Sequence, residues 1–255
     1  LLAKSLPSIL PPLTKEETIE ISKIYSVCGL LSKDKPLITT RPFRNPHHSS
    51  SLVSIVGGGT NPKPGEISLA HRGVLFLDEF PEFPRSIIES LRQPMEDGYI
   101  SVSRARRSII FPCKFILVAA SNPCPCGFFG DDTHQCTCSM TEIIKYNKKI
   151  SGPILDRIDL VITIPKTKFQ KLILPKDENL TQEIKNRVKN ARKIQEERFK
   201  NDIPRIFTNS EMSIDEINRF CKLDNKSMEI LEKAEEKFGL SPRGIHKILK
   251  VSRTI

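Results

Sequence analysis

The chain has 255 residues, long enough for one large domain or a large domain with a smaller appendage. Its 40 Lys and Arg against 30 Asp and Glu give +10 at pH 7, spread evenly over the two parts of the chain, a balance that favours a polyanionic partner such as nucleic acid or nucleotide phosphate. No stretch of about 18 apolar residues occurs and the front lacks a charged segment before an apolar run, which supports neither a membrane span nor a signal peptide and reads as cytoplasmic.

The opening LLAKSLPSIL has apolar residues at helical spacing but no cap, as though its helix had begun before residue 1. Residues 41 to 71, rich in Pro, Gly and Ser, read as a long excursion with a flexible GGGTNPKPG tip, outside the core. Strands are expected at Val74 to Leu77, Ser108 to Pro112, Phe115 to Ala120 and Leu160 to Ile164. A helix over 84 to 96 would place Ile87, Ile88, Leu91 and Met95 on one face. Strand, helix, strand order predicts an α/β fold with a mostly parallel sheet.

From Thr181 onward the pattern is helical. Ile184, Val188, Ala191 and Ile194 mark one helix, Ile214, Ile217 and Phe220 a second, Met228, Leu231 and Phe238 a third, and Ile245, Ile248, Leu249 and Ser252 a fourth. The expected organisation is an α/β core over 1–165, a connector over 166–180 with prolines nearby, and a small all-α lid over 181–255.

GVLFLDEF at 73 to 80 runs four apolar residues into two adjacent acids, Asp78 and Glu79. Like charges side by side either face water separately, as simple caps of a strand end, or share a cation that offsets their repulsion. Ala119-Ala120-Ser121-Asn122 ends a second strand in the same way, and would bring the Asn122 amide beside the acids if the two strands are neighbours. Open α/β sheets bind ligands at such carboxyl ends.

This combination resembles the AAA+ ATPases, where an apolar strand ending Asp-Glu is the Walker B motif and an Asn after a nearby strand is sensor 1. The finer resemblance, over essentially the whole chain, is to magnesium-chelatase-like members of the YifB/ComM type. It is carried by RPFRNPHHSSS at 41–51, PGEISLAHRGVLFLDEFPEF at 64–83, SLRQPMEDG at 90–98, AASNPCPCG at 119–127, SGPILDRIDL at 151–160 and LSPRGIHKILKVSRTI at 240–255.

The resemblance implies an AAA+ core and helical lid, with ATP and Mg²⁺ as substrate and cofactor. Asp78 would hold Mg²⁺ through its water shell, and Glu79 would orient and deprotonate the attacking water. Arg157 in LDRID fits an arginine finger given to the neighbour in a homo-oligomeric ring, a hexamer; its plain alternative is a salt bridge to Asp156 or Asp159. Arg243 in SPRG matches sensor 2, with Ser241 as N-cap and Pro242 as first helical residue.

One feature departs from the family: no G-x-x-x-x-G-K-[ST] phosphate-binding loop occurs in the sequence, and the resemblance would put it immediately before Leu1. The 255 residues would then carry the machinery that senses and cleaves ATP without the part that grips it, and would be inactive alone.

Seven cysteines is an odd number, and four of them lie in residues 124 to 138, which suits a metal better than a secreted disulfide framework. Cys124, Cys126, Cys136 and Cys138, spaced C-x-C-x9-C-x-C, would close a tetrahedral Zn²⁺ site or stay as reduced, empty thiols, with His134 a spare ligand.

The segment 97–115 reads as a hairpin whose tip carries Arg104, Arg106 and Arg107. In related ring ATPases such a hairpin faces the pore, where arginines would grip a DNA backbone; otherwise it is a solvated tip. His47-His48, on the Pro/Ser-rich excursion, reads as surface or packing. The functional expectation is ATP-driven DNA remodelling of helicase or branch-migration type, related to competence or recombination. The alternatives are a chelatase-type subunit driving metal insertion and a non-catalytic, zinc-stabilised nucleic-acid-binding module.

Overall fold

In the computed structural model, residues 2–104, 107–131, 133–164, 178–203 and 205–254 are described. The connector expected over 166–180 lies almost wholly outside them. The chain divides into two compact units, one of Leu1–Pro7 and Pro12–Arg157, the other of Ser8–Pro11 and Ile158–Ile255.

Helix α1 (Leu2–Ile9) precedes α2 (Lys15–Val27), which starts at a capping box. Thr14 Oγ1 accepts from Glu17 N and Glu17 Oε2 accepts from Thr14 N, so two otherwise unpaired amides are satisfied. Then follow β1 (Phe43–Arg44), α3 (Leu52–Val56), β2 (Gly57–Gly58), β3 (Lys63–Pro64), α4 (Glu66–Leu69) and β4 (Val74–Leu77).

All four residues of β4 are buried because the strand is central: β1 pairs with it in parallel on one side and β7 (Ile116–Ala119) on the other. Between β4 and β7 lie α5 (Arg85–Ser90), α6 (Arg92–Asp97) and the antiparallel hairpin of β5 (Tyr99–Arg104) and β6 (Arg107–Pro112). Helices α7 (Met140–Asn147) and α8 (Gly152–Leu155) complete the first unit.

The second unit is helical: α9 (Glu178–Arg198), α10 (Ile214–Phe220), α11 (Asn225–Phe238) and α12 (Pro242–Ser252). Together the two units make an AAA+-like α/β core followed by a helical domain. Among the described residues no helix is long and apolar enough to cross a membrane.

Four sequence expectations need correction. The 41–71 segment is no mere excursion: it supplies β1, and Ile55, Ile67, Leu69 and Ala70 are buried. Glycine makes this folding-in feasible, since a Cβ on Gly65 would sit 2.4 Å from Gly57 N and 2.5 Å from the Ile55 carbonyl oxygen. The single helix over 84–96 breaks at Leu91 into α5 and α6, because the Pro94 ring would clash with the Ser90 carbonyl four residues back.

The expected strand at Leu160 to Ile164 does not form. Its apolar residues Leu160, Val161, Ile162 and Ile164 are 64–78% exposed, since an apolar run becomes a strand only where a partner edge accepts it. In the helical unit the four helices form where expected, yet Ile194, Ile214, Met228 and Phe238 are exposed. The core there gathers Phe199, Ile206, Met212, Ile217 and Cys221, three of them in or beside the loop between α9 and α10.

The amino end of β4 rests on a buried polar network. The Glu17 carboxylate takes a bidentate pair from Arg41, whose guanidinium also donates to the Arg72 carbonyl at 2.7 Å. His71 Nδ1 accepts from the Lys114 amide at 3.0 Å, so Nε2 carries the proton and donates to Glu20 Oε2 at 3.1 Å. Arg72 Nε donates to the same carboxylate at 2.9 Å. Partial burial pushes the Glu20 pKa up, but the hydrogen bonds from His71 and Arg72 outweigh it and hold the carboxyl at about 2.

Candidate active site and thiol cluster

The register of β4 on β7 pairs Leu77 with Ala119, so the two strands end side by side. Ala120 N donates to Leu77 O at 3.0 Å and Phe80 N to Ala120 O at 2.8 Å, which carries the ladder one step past each strand. Asp78-Glu79 and Ser121-Asn122 therefore leave the sheet at one end as neighbours, which meets the condition set by the sequence. All three side chains, Asp78, Glu79 and Asn122, are exposed.

Glu79 has φ 51° and ψ 46°, a left-handed conformation uncommon for a residue with a Cβ. It ends the strand abruptly, and Pro81 in the following 3₁₀ turn (Phe80–Glu82) fixes the exit. Asp78 Oδ1 accepts from Glu79 N at 3.1 Å. The second Glu79 neighbour went unforeseen in the sequence: His48 Nδ1 lies 3.2 Å from Glu79 Oε2. The His48 ring is held against His47, at 4.1 Å between centroids, and edge-on to Phe83. Surface or packing was the expectation for this histidine pair. The missing clue was β1, because a short parallel strand beside β4 necessarily delivers the residues after it to the same end of the sheet.

Arg157 follows α8 and folds onto its own unit. It pairs with Glu96 of α6 and donates to the Pro153 carbonyl at 2.7 Å, while its buried Nε has no partner among the described residues. The acid opposite it is thus neither Asp156 nor Asp159, the two partners that sequence proximity suggested. Arg243 stands in the second unit at the second position of α12, where Ser241 caps through a bond from Gly244 N at 3.1 Å and Pro242 is the first residue. Arg104 and Arg107 are paired in register as the last rung of the β5–β6 hairpin; Arg106 lies outside the described residues.

The four clustered cysteines converge without regular structure to hold them. Their sulfurs all lie within 4.8 Å of one another, with Cys124–Cys126 at 3.4 Å, Cys126–Cys136 at 3.6 Å and Cys124–Cys136 at 3.7 Å. Four sulfurs at about 2.3 Å from a tetrahedral zinc stand about 3.8 Å apart, so the spacing fits the ion. Phe129 N donates to Cys124 Sγ at 3.3 Å, the kind of outer contact that orients a thiolate ligand. Backbone N–H groups of Phe128 and Thr137 hold the Cys126 thiol down at about 5. His134, the spare ligand, is outside the cluster, its ring stacked on Phe128 at 5.0 Å.

Comparison with known proteins agrees with this architecture. The family described as magnesium chelatase, subunit ChlI, matches residues 1–172, and its C-terminal counterpart matches residues 178–255. The chain is 46% identical over 258 residues to the competence protein ComM of Haemophilus influenzae, covering 100% of this chain and 48% of ComM. It is 43% identical over 258 residues to YifB of Escherichia coli, covering 100% and 49%. A magnesium-chelatase subunit ChlI of Bigelowiella natans shares 30% over 98 residues, covering 38% and 22%. The chain spans about half the length of the ComM and YifB relatives it matches. With both parts of the family matched in order and the Asp-Glu strand in place, this chain belongs to the magnesium-chelatase-like AAA+ ATPases of the ComM and YifB type.

Proposed function

We propose that the chain is the hydrolysing and sensing part of an ATP-driven motor that remodels DNA, by branch migration or unwinding, in the cytoplasm. The observation that supports this reading most is the pairing of Leu77 with Ala119, which sets Asp78-Glu79 beside Asn122 at the open end of a parallel sheet. Mg²⁺ bound with ATP would neutralise charge on the phosphates beside Asp78. Glu79 accepts a proton from the attacking water, and Asn122 orients that water or the terminal phosphate. The DNA part of the reading draws on the name of the ComM relative and on the arginines at 104, 106 and 107, which would meet a phosphate backbone in the pore of a hexameric ring.

Arg157 is the finger that acts on the neighbouring subunit, and its pairing with Glu96 is the resting arrangement that ring assembly exchanges for phosphate. Arg243 supplies a second cation at the start of α12. The thiol cluster holds one Zn²⁺ through Cys124, Cys126, Cys136 and Cys138, and stiffens the loop that follows Asn122.

Complementation tests the shared site. In a chain extended to the length of the ComM and YifB relatives, Glu79→Gln and Arg157→Ala subunits should each be inactive, and mixtures should regain part of the ATPase. Some interfaces then join an intact Glu79 to an intact neighbouring Arg157. Co-assembled mixtures that stay inactive would return Arg157 to its own subunit's fold. The 255 residues by themselves, having no G-x-x-x-x-G-K-[ST], should turn over ATP negligibly in a phosphate-release assay.

A further inference from the structure

Beside the Asp78-Glu79 loop the first unit contains a cleft of about 370 Å³. Pro81 and Phe83 form apolar wall, and Glu82 with Arg85, Lys145, Lys148 and Lys149 forms the rest. Four cations face one acid. Lys149 offsets that acid, with Nζ 3.1 Å from Glu82 Oε2, while Arg85, Lys145 and Lys148 have no carboxylate partner among the described residues.

The arrangement follows from α7. A capping box of Ser139 and Glu142 starts the helix, and Ile143 and Tyr146 are buried on one face. Lys145 lies in the last turn, Lys148 is the C-cap and Lys149 follows it, so all three are exposed at the end of the helix and line the cleft. Three ammonium groups gathered at one helix end, with a guanidinium in the same lining, suit a chain of phosphates better than a single anion. The cleft is small and lined on both sides, by the Phe80–Glu82 turn with the residues after it and by the end of α7, which suits one backbone better than the width of a duplex. Pro81 and Phe83 are buried, and their low-dielectric surface strengthens attraction to a bound charge.

We propose that this cleft binds the phosphate backbone of a single nucleic-acid strand. It is separate from the arginine hairpin and stands where strand engagement reaches the hydrolytic residues. Glu82 and Phe83 follow the acid pair in the same turn, and Tyr146 lies against Ser121 and the Asn122 backbone. A phosphate that draws Lys149 away from Glu82 changes the charge beside Glu79 directly. The inference rests on the reading that the partner is nucleic acid, and adds a site and a strand state to it.

The test is fluorescence anisotropy of a labelled single-stranded oligonucleotide on the 255-residue chain across a salt series. The variants are Lys145→Glu/Lys148→Glu, the milder Lys145→Gln/Lys148→Gln, and a separate hairpin variant, Arg104→Gln/Arg107→Gln. Charge reversal in the cleft should weaken binding at least about tenfold, and loss of two phosphate contacts should reduce the slope of log K against log salt by about 1.4. The amide variant should move both quantities the same way by less.

ATP and inorganic phosphate serve as competitors to separate sources of the phosphate. If either occupies the cleft of the wild-type chain while oligonucleotide binding ignores Lys145 and Lys148, the site takes a free phosphate compound and the proposal is overturned. If the oligonucleotide binds but only the hairpin variant weakens it, the cleft fails and the nucleic-acid reading stands. If the wild-type chain binds no oligonucleotide even at low salt, both fail. Unchanged circular dichroism of the charge variants confirms that the exposed substitutions leave the fold intact.

Discussion

The two ends of β4 are built on opposite terms. At the amino end, Glu17 with Arg41 and Glu20 with His71 and Arg72 form pairs beneath the sheet, and every hydrogen-bonding group of the His71 ring is used. At the carboxyl end Asp78, Glu79 and Asn122 stand in solvent, with His48 as the partner of the Glu79 carboxylate. One four-residue strand connects a closed polar foundation to an open set of polar groups. The first arrangement satisfies its groups by folding; the second leaves them open to solvent. Acids at both ends are thus assigned different work by their partners and not by their type.

Substitutions at the two ends should separate activity from stability. The largest effect belongs to Glu79→Gln in the extended chain: turnover should drop by about 100-fold or more, because the amide keeps the shape but accepts no proton. Nucleotide affinity and melting temperature should stay close to wild type. Substantial residual hydrolysis would remove Glu79 from the role.

The next concerns the loop beyond Asn122. Metal analysis of chain purified without chelator should find close to one zinc per chain. Cys124→Ser should lower zinc content and melting temperature together. Four freely reactive thiols with no metal would leave that loop without its clamp.

At the foundation, Glu20→Gln should act in the reverse sense to Glu79→Gln. Charge-assisted bonds of this kind, discounted because Glu20 is 39% exposed, are worth about 1 kcal/mol, or a melting shift of about 2–4 °C, with turnover per folded molecule retained. The same group sets an acid limit. Its folded pKa of about 2 lies below the ordinary value of 4.5, so its stabilisation is full above pH 4.5 and is lost as pH falls toward 2. Denaturant midpoints measured between pH 6 and pH 2.5 should fall more in the wild type than in Glu20→Gln.

The smallest effect is His48→Ala. A half-exposed pair is worth about 0.2–1 kcal/mol, so turnover should change by no more than about fivefold, with affinity for nucleotide unmoved. A change of a hundredfold would make His48 part of the chemistry itself.

The carboxyl end was largely legible because its signals are local. Four apolar residues before two acids identify a buried strand and its end, and Ser241-Pro242 announces the start of α12. The foundation was not legible, since Glu17, Glu20, Arg41 and His71 are far apart in the chain and each alone looks like a surface residue. Length hid β1: two residues in a proline-rich stretch give no periodicity, and with β1 went the approach of His48 to Glu79. The break at Leu91 was readable in principle, because Pro94 forbids the continuous helix that apolar spacing suggests. Exposed Met228 and Phe238 show the limit of helical periodicity, which reports that a face is apolar and not that anything covers it.

The left-handed backbone at Glu79 has a consequence for anyone improving this chain. Glycine would adopt φ 51° without the strain a side chain brings, a relief of about 1 kcal/mol, yet glycine there has no carboxylate. Under the role proposed for Glu79, selection for heat resistance alone would therefore favour a sequence that lacks the base. An assay of turnover has to accompany every round, since under the role proposed for Glu79 robustness and catalysis pull in opposite directions at this position.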